Sequence, residues 1–192
     1  MLGALLGHRL DPWLGKPLAG VNPNALTLLG LALSALAALA FATARWRWGG
    51  VLVLAAGICD LLDGASARRG NRQTAFGAFL DSVTDRYVEA LVFLGIMAYY
   101  LRADHPLYAL LSALALAGSL LVSYCRARAE SLGASCRVGW LERPERMLIL
   151  AAGGLLEAMR PCLWALVGLS HLTVVQRVLH VRAYLKEVSV HG

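Results

Sequence analysis

Charged residues are scarce in this sequence. Asp, Glu, Lys and Arg together make up only 16% of its 192 residues, whereas hydrophobic residues make up 58%. Soluble globular domains carry nearer a quarter charged residues. This shortage excludes an ordinary soluble domain and favours an all-α integral membrane protein, whose length suits a single domain.

Cysteines are also few, and they are widely spaced. The four cysteines form no CxxC pair, and no histidine cluster accompanies them. The pattern therefore indicates neither a zinc site nor a disulfide framework. The sequence also has no basic stripe interleaved with aromatic residues, so we expect no nucleic-acid partner.

The chain contains several uncharged, apolar runs whose lengths approach that needed to cross a bilayer. We predict a single membrane domain over residues 1–192, with an interfacial amphipathic helix at residues 1–20 and a six-helix bundle at residues 21–192. Turns are expected at the Arg- and Trp-rich residues 45–50 and at the basic residues 68–72. The six predicted spans are approximately residues 24–44, 51–67, 74–101, 105–125, 147–159 and 162–178.

The basic residues are distributed unequally between the two predicted sides. Six spans place 14 of the 18 Lys and Arg residues on one side and leave four on the other. Cytoplasmic loops carry an excess of Lys and Arg. We therefore expect a multi-pass protein of the cell membrane, with its basic side facing the cytoplasm.

An acidic pattern interrupts this apolar sequence. It reads Asp60-x2-Asp63-Gly64-x2-Ala67-Arg68-x8-Gly77-x3-Asp81-x3-Asp85. Ionisable groups at membrane depth are costly and are functional candidates by default. Helical spacing puts the acids of each half on one face, so the carboxylates converge if the two helices pack antiparallel. Hard oxygen ligands favour Mg²⁺ or Mn²⁺.

Other interpretations of this pattern remain open at this point. A single acid is often a helix cap, and small residues in spans often serve helix packing. The acids could line the path of a cation channel or transporter, although Arg68 is unfavourable beside such a path. A prenyltransferase would also use Mg²⁺ and a diphosphate, but only one acidic region is present here.

The complete pattern resembles the signature of the CDP-alcohol phosphatidyltransferase family at all eight fixed positions. The resemblance implies transfer of a phosphatidyl group from CDP-diacylglycerol, or a related CDP-lipid, to an alcohol, with release of CMP in phospholipid biosynthesis. It implies two divalent ions held by Asp60, Asp63, Asp81 and Asp85, with Asp85 as the general base, and it suggests a homodimer. The residues that it assigns to the CDP-lipid are Pro23, Asn24, Ala25, Thr27, Asp60, Gly64, Arg68, Thr74 and Gly77.

The acceptor is predicted from a set of arginines. The stretch from Ser123 through the LERPER segment (residues 141–146) resembles family members whose acceptor is inositol phosphate, except that Arg126 stands where those members have lysine. Arginine forks suit phosphate, although the same residues could be positive-inside anchors. Glycerol 3-phosphate is the alternative acceptor. The candidate phosphate-binding residues are Arg126, Arg143, Arg146 and Arg177.

Overall fold

The computed structural model describes residues 23–69 and 74–191. All regular structure in these two ranges is α-helical, which confirms that the protein is all-α. The predicted interfacial helix at residues 1–20 lies outside the described residues. The described residues form six helices: α1 (Pro23–Ala42), α2 (Trp46–Arg69), α3 (Ala75–Arg102), α4 (Pro106–Ser131), α5 (Arg143–Leu155) and α6 (Met159–His191).

The start of α2 corrects one of the predicted boundaries. The expected turn at residues 45–50 is wrong, because α2 begins at Trp46 and includes Gly49 and Gly50. These glycines let helices approach closely. A Cβ on Gly50 would lie 2.7 Å from the carbonyl oxygen of Ala151 in α5. At its other end, α2 continues through Arg68 and Arg69, the first two residues of the predicted basic turn.

The two helices that carry the acidic pattern both pack against α1. Extensive contacts join α1 to α2 and α1 to α3, whereas the described residues of α2 and α3 make few contacts with each other. The two motif helices are therefore joined mainly through α1. Thr74 caps α3 by accepting a hydrogen bond from the Gly77 amide at 2.9 Å, and such a cap satisfies an otherwise unpaired helix N–H.

The second half of the bundle consists of a short helix and two long ones. The 13-residue α5 begins at Arg143, four residues before the predicted span, and at about 1.5 Å per residue it is only about 20 Å long. α6 continues without a break to His191, well past the predicted end near residue 178. α4 packs against α3 and α6, and α5 packs against α2 and α6.

Apolar side chains cover much of the outer surface of the bundle. Many large hydrophobic residues, such as Leu39, Leu107 and Trp164, are more than half exposed, as expected of helices that face lipid. Within the described ranges, three stretches are long and apolar enough to cross a membrane: Asn24–Ala42, Pro106–Ser131 and Met159–Lys186.

Candidate functional site

Three of the four predicted metal ligands converge at one point. One carboxylate oxygen from each of Asp60, Asp63 and Asp81 lies within 4.8 Å of the others. Asp63 is buried and accepts a hydrogen bond from the Thr27 hydroxyl at 2.8 Å. The Oδ1 atom of Asp81 is buried and has no hydrogen-bond partner among the described residues. Three clustered carboxylates with a buried, unpartnered oxygen fit a hard divalent cation.

Asp85 lies outside this three-acid group and contacts arginines instead. Its Oδ1 is 2.7 Å from Nη2 of Arg143, and its Oδ2 is 3.4 Å from Nη1 of Arg86. The other terminal nitrogen of Arg143, Nη1, lies 2.9 Å from Oδ1 of Asp60. One planar guanidinium therefore joins the two halves of the acidic pattern, a geometry that arginine provides and lysine does not.

A largely apolar cavity of about 180 Å³ opens beside the acids. Leu26, Leu54 and Leu148 contribute apolar surface from α1, α2 and α5, while all four aspartates of the pattern form its polar wall. A cavity with a hydrocarbon wall on one side and carboxylates on the other suits an amphiphile whose head carries a metal-bound phosphate.

Several residues predicted to bind the CDP-lipid lie close together. A Cβ added to Gly77 would lie 3.0 Å from Oγ1 of Thr74 and 3.9 Å from Oδ1 of Asn24, so these three residues meet where α1 and α3 begin. Thr27 lines the cavity itself, and Ala25 is exposed on α1. Pro23 begins α1, and Gly64 and Arg68 belong to the last part of α2.

A second, basic cavity of about 910 Å³ lies on the other side of Asp85. All four predicted acceptor arginines line it, and so do Arg86, Arg137 and Glu142, which sequence reasoning missed. Arg86 directly follows Asp85 in the sequence, but the sequence alone does not show that its side chain lines the same cavity as the four acceptor arginines. Asp85, Arg143 and Pro144 line both cavities and separate them.

The arginines of the basic cavity differ in how firmly the protein holds them. Arg126 is exposed and pairs with Glu130 at 2.9 Å. Arg177 is buried and donates to the backbone carbonyls of Val138 and Val122, which ties α6 to the 132–142 loop and to α4. The cavity therefore combines an exposed, ion-paired arginine with a buried arginine that is held by backbone carbonyls.

The comparison with known families decides between the alternatives. The model of the CDP-alcohol phosphatidyltransferase family matches residues 20–181. The chain belongs to this family. It is therefore an integral membrane transferase. Family membership thus favours this interpretation over a cation channel, a transporter or a prenyltransferase. The family uses divalent metal ions, which agrees with the fit of the three-acid group.

The chain is similar to relatives and to solved structures of this family over most of their length. The chain is 40% identical to archaetidylinositol phosphate synthase of Methanothermobacter thermautotrophicus, over 84% of this chain and 83% of that protein. It is 36% identical to phosphatidylinositol phosphate synthase of Mycobacteroides abscessus, over 85% and 79%. The crystal structure of Mycobacterium tuberculosis phosphatidylinositol phosphate synthase with CDP-DAG bound superposes with a TM-score of 0.76 at 30% identity, covering 93% of this chain and 92% of that one. The same enzyme in complex with manganese and citrate gives a TM-score of 0.77, with 93% and 88% covered.

Proposed function

We propose that this enzyme transfers the phosphatidyl group of CDP-diacylglycerol, or of a related CDP-lipid, to inositol phosphate and releases CMP. The observation that carries the proposal is the position of Asp85, which lines both the apolar cavity with the acids and the basic cavity with the arginines. A donor and an acceptor held in the two cavities would meet at this carboxylate. The names and the coverage of the relatives support the same reaction.

In the proposed step, a hydroxyl oxygen of the acceptor attacks the phosphorus that bears the lipid. The new P–O bond forms as the bond to CMP breaks, and CMP leaves with the electron pair of that bond. The hydroxyl proton passes to the carboxylate of Asp85, which acts as a general base. Arg143 holds Asp85 through the 2.7 Å contact, which limits the positions that the base occupies.

Asp60, Asp63 and Asp81 are proposed to hold the divalent ions, with Asp85 as a further ligand. A bound Mg²⁺ or Mn²⁺ supplies charge that neutralises the diphosphate of the donor and stabilises the CMP leaving group. We assign the donor head to Asn24, Thr27, Thr74 and Gly77, together with Pro23, Ala25, Gly64 and Arg68. The apolar wall of the smaller cavity would accept the start of the lipid chains.

The acceptor phosphate is assigned to Arg126, Arg143, Arg146 and Arg177. Their shared cavity supports this assignment, because several guanidinium groups around one space suit a dianionic phosphate. Arg143 is then a bridge between acceptor and acids rather than a ligand of phosphate alone. We also propose that the chain forms one membrane domain over residues 1–192 with six transmembrane spans. Its active site would face the cytoplasm, and the enzyme would be a homodimer.

The proposal is tested by an acceptor comparison with purified protein. We expect CMP release from CDP-diacylglycerol and Mg²⁺ with inositol phosphate, and much less with glycerol 3-phosphate or unphosphorylated inositol. The lipid product is identified by mass. A preference for glycerol 3-phosphate would instead assign phosphatidylglycerophosphate synthesis, and the same assay with an ether-linked CDP-lipid decides the donor.

A further inference from the structure

A buried ion pair borders the basic cavity. Glu89 of α3 has 0% of its surface exposed, and Arg146 of α5 has 1%. Oε1 of Glu89 lies 2.9 Å from Nε and 2.8 Å from Nη2 of Arg146. Such residues are almost never fully buried unless they are paired, so each side chain depends on the other for its place in the bundle.

Only the arginine of this ion pair reaches the basic cavity. Arg146 lines the basic cavity, whereas Glu89 lines neither of the two cavities described above. Glu89 therefore lies behind Arg146 and does not face the space that the acceptor would occupy. Nη1 of Arg146 also donates to the carbonyl of Leu141 at 3.2 Å, so the guanidinium is held on two sides.

This arrangement leaves part of the guanidinium available. An arginine carries five N–H donors in a fixed fork. Among the described residues, Nε donates to Glu89 and Nη1 donates to the carbonyl of Leu141, while the buried Nη2 lies 2.8 Å from Oε1 of Glu89 without forming a hydrogen bond. The remaining hydrogens, one on Nη1 and both on Nη2, belong to a side chain that borders the cavity. The fork is thus fixed in the way that phosphate recognition requires.

We propose that Glu89 is a positioning residue for the acceptor: it fixes the Arg146 fork at the wall of the basic cavity and affects turnover through Arg146. The inference rests on the proposed function, because it takes the basic cavity as the acceptor site. It assigns a role in substrate recognition to a carboxylate that does not touch the substrate. Glu89 also lies outside the three-acid group, so its role is separate from metal binding.

The test is a double-mutant cycle on CMP release, with Glu89→Gln, Glu89→Ala, Arg146→Ala and the combined Glu89→Ala/Arg146→Ala variant. We expect each Glu89 variant to raise the KM for inositol phosphate about tenfold, the size expected when one charged hydrogen bond is lost. The KM for the CDP-lipid stays within about twofold. The combined variant has the same acceptor KM as Arg146→Ala alone, because Arg146 is the arginine whose side chain Glu89 contacts.

Glu157→Gln is the matched control, since Glu157 also pairs with an arginine, Arg47, but at an exposed position away from both cavities. We expect Glu157→Gln to leave the KM values for the donor and the acceptor unchanged.

Removing one partner of a buried ion pair is destabilising, whereas removing both partners is tolerated better. If Glu89→Ala is not recovered folded, Glu89→Gln decides, with CDP-lipid binding as the check of folding.

Two results overturn the inference. In the first, the effects of Glu89→Ala and Arg146→Ala on the acceptor KM multiply in the combined variant. In the second, the Glu89 variants raise the donor KM and the acceptor KM equally. Failure of the proposed function is a different result, in which the wild-type enzyme prefers another phosphorylated acceptor. The cycle is then run with that acceptor, and the same two results still overturn the role of Glu89.

Discussion

The guanidinium of Arg143 lies against the carboxylate of Asp85, with 2.7 Å between Nη2 and Oδ1. Its second arm reaches Asp60 at 2.9 Å, so one side chain of α5 links the two helices that carry the acidic pattern. Because Arg143 and Asp85 both line the two cavities, this contact lies at the boundary between the proposed donor and acceptor sites.

Arg143→Lys should lower kcat about tenfold or more, although the charge is kept. A single ammonium group does not reproduce the planar fork that contacts two carboxylates at once, and a lost charged hydrogen bond corresponds to roughly that factor. The measurement is CMP release at saturating donor and acceptor. Arg128→Lys, at an exposed position of α4, is the control and keeps wild-type kcat. Wild-type turnover in Arg143→Lys would remove the bridging role.

Asp85→Asn should abolish turnover and spare donor binding. The amide has nearly the same shape but does not accept the proton of the acceptor hydroxyl, and loss of a general base costs about 10²–10⁴-fold in rate. CMP release and CDP-lipid binding are measured on the same preparation. Normal turnover in this variant would exclude Asp85 as the base, and loss of CDP-lipid binding would point to a role in holding the donor.

Asp81→Asn should weaken divalent-metal binding. Oδ1 of Asp81 is buried and unpartnered among the described residues, and it lies in the group with Asp60 and Asp63, so its charge is available to a cation. Binding of Mn²⁺ is followed directly, and the Mg²⁺ dependence of CMP release is expected to shift to higher concentration. Asp104→Asn changes an exposed acid in the turn that follows α3 and serves as the control. Equal Mn²⁺ affinity in Asp81→Asn and wild type would contradict the assignment.

Gly50→Ala should destabilise the bundle. The added methyl group would lie 2.7 Å from the carbonyl of Ala151 and 2.8 Å from the amide of Leu155, and overpacking of this kind costs about 1–3 kcal/mol. Gly168→Ala is the matched control, because nothing lies within 4 Å of its added Cβ and alanine favours a helix. Thermal unfolding in detergent should give a lower Tm for Gly50→Ala alone. An equal Tm for both variants would contradict the close packing of α2 on α5.

Long uncharged runs predicted the all-helical fold, and helical spacing placed Asp60 and Asp63 on one face of their helix and Asp81 and Asp85 on one face of the next. The same spacing puts Glu89 one turn beyond Asp85, but it does not show that its partner is Arg146, 57 residues away. The early start of α2 at Trp46 was also missed, since Gly49 and Gly50 are typical of turns unless another helix packs against them. What could not be predicted depends on contacts between helices that are distant in sequence.

The central claim is tested most directly by the acceptor dependence of CMP release from CDP-lipid in the presence of Mg²⁺. We predict the highest kcat/KM for inositol phosphate, a much lower value for unphosphorylated inositol, and loss of the reaction in Asp85→Asn. Absence of CMP release with every alcohol acceptor, in protein that is folded and binds the CDP-lipid, would contradict the account.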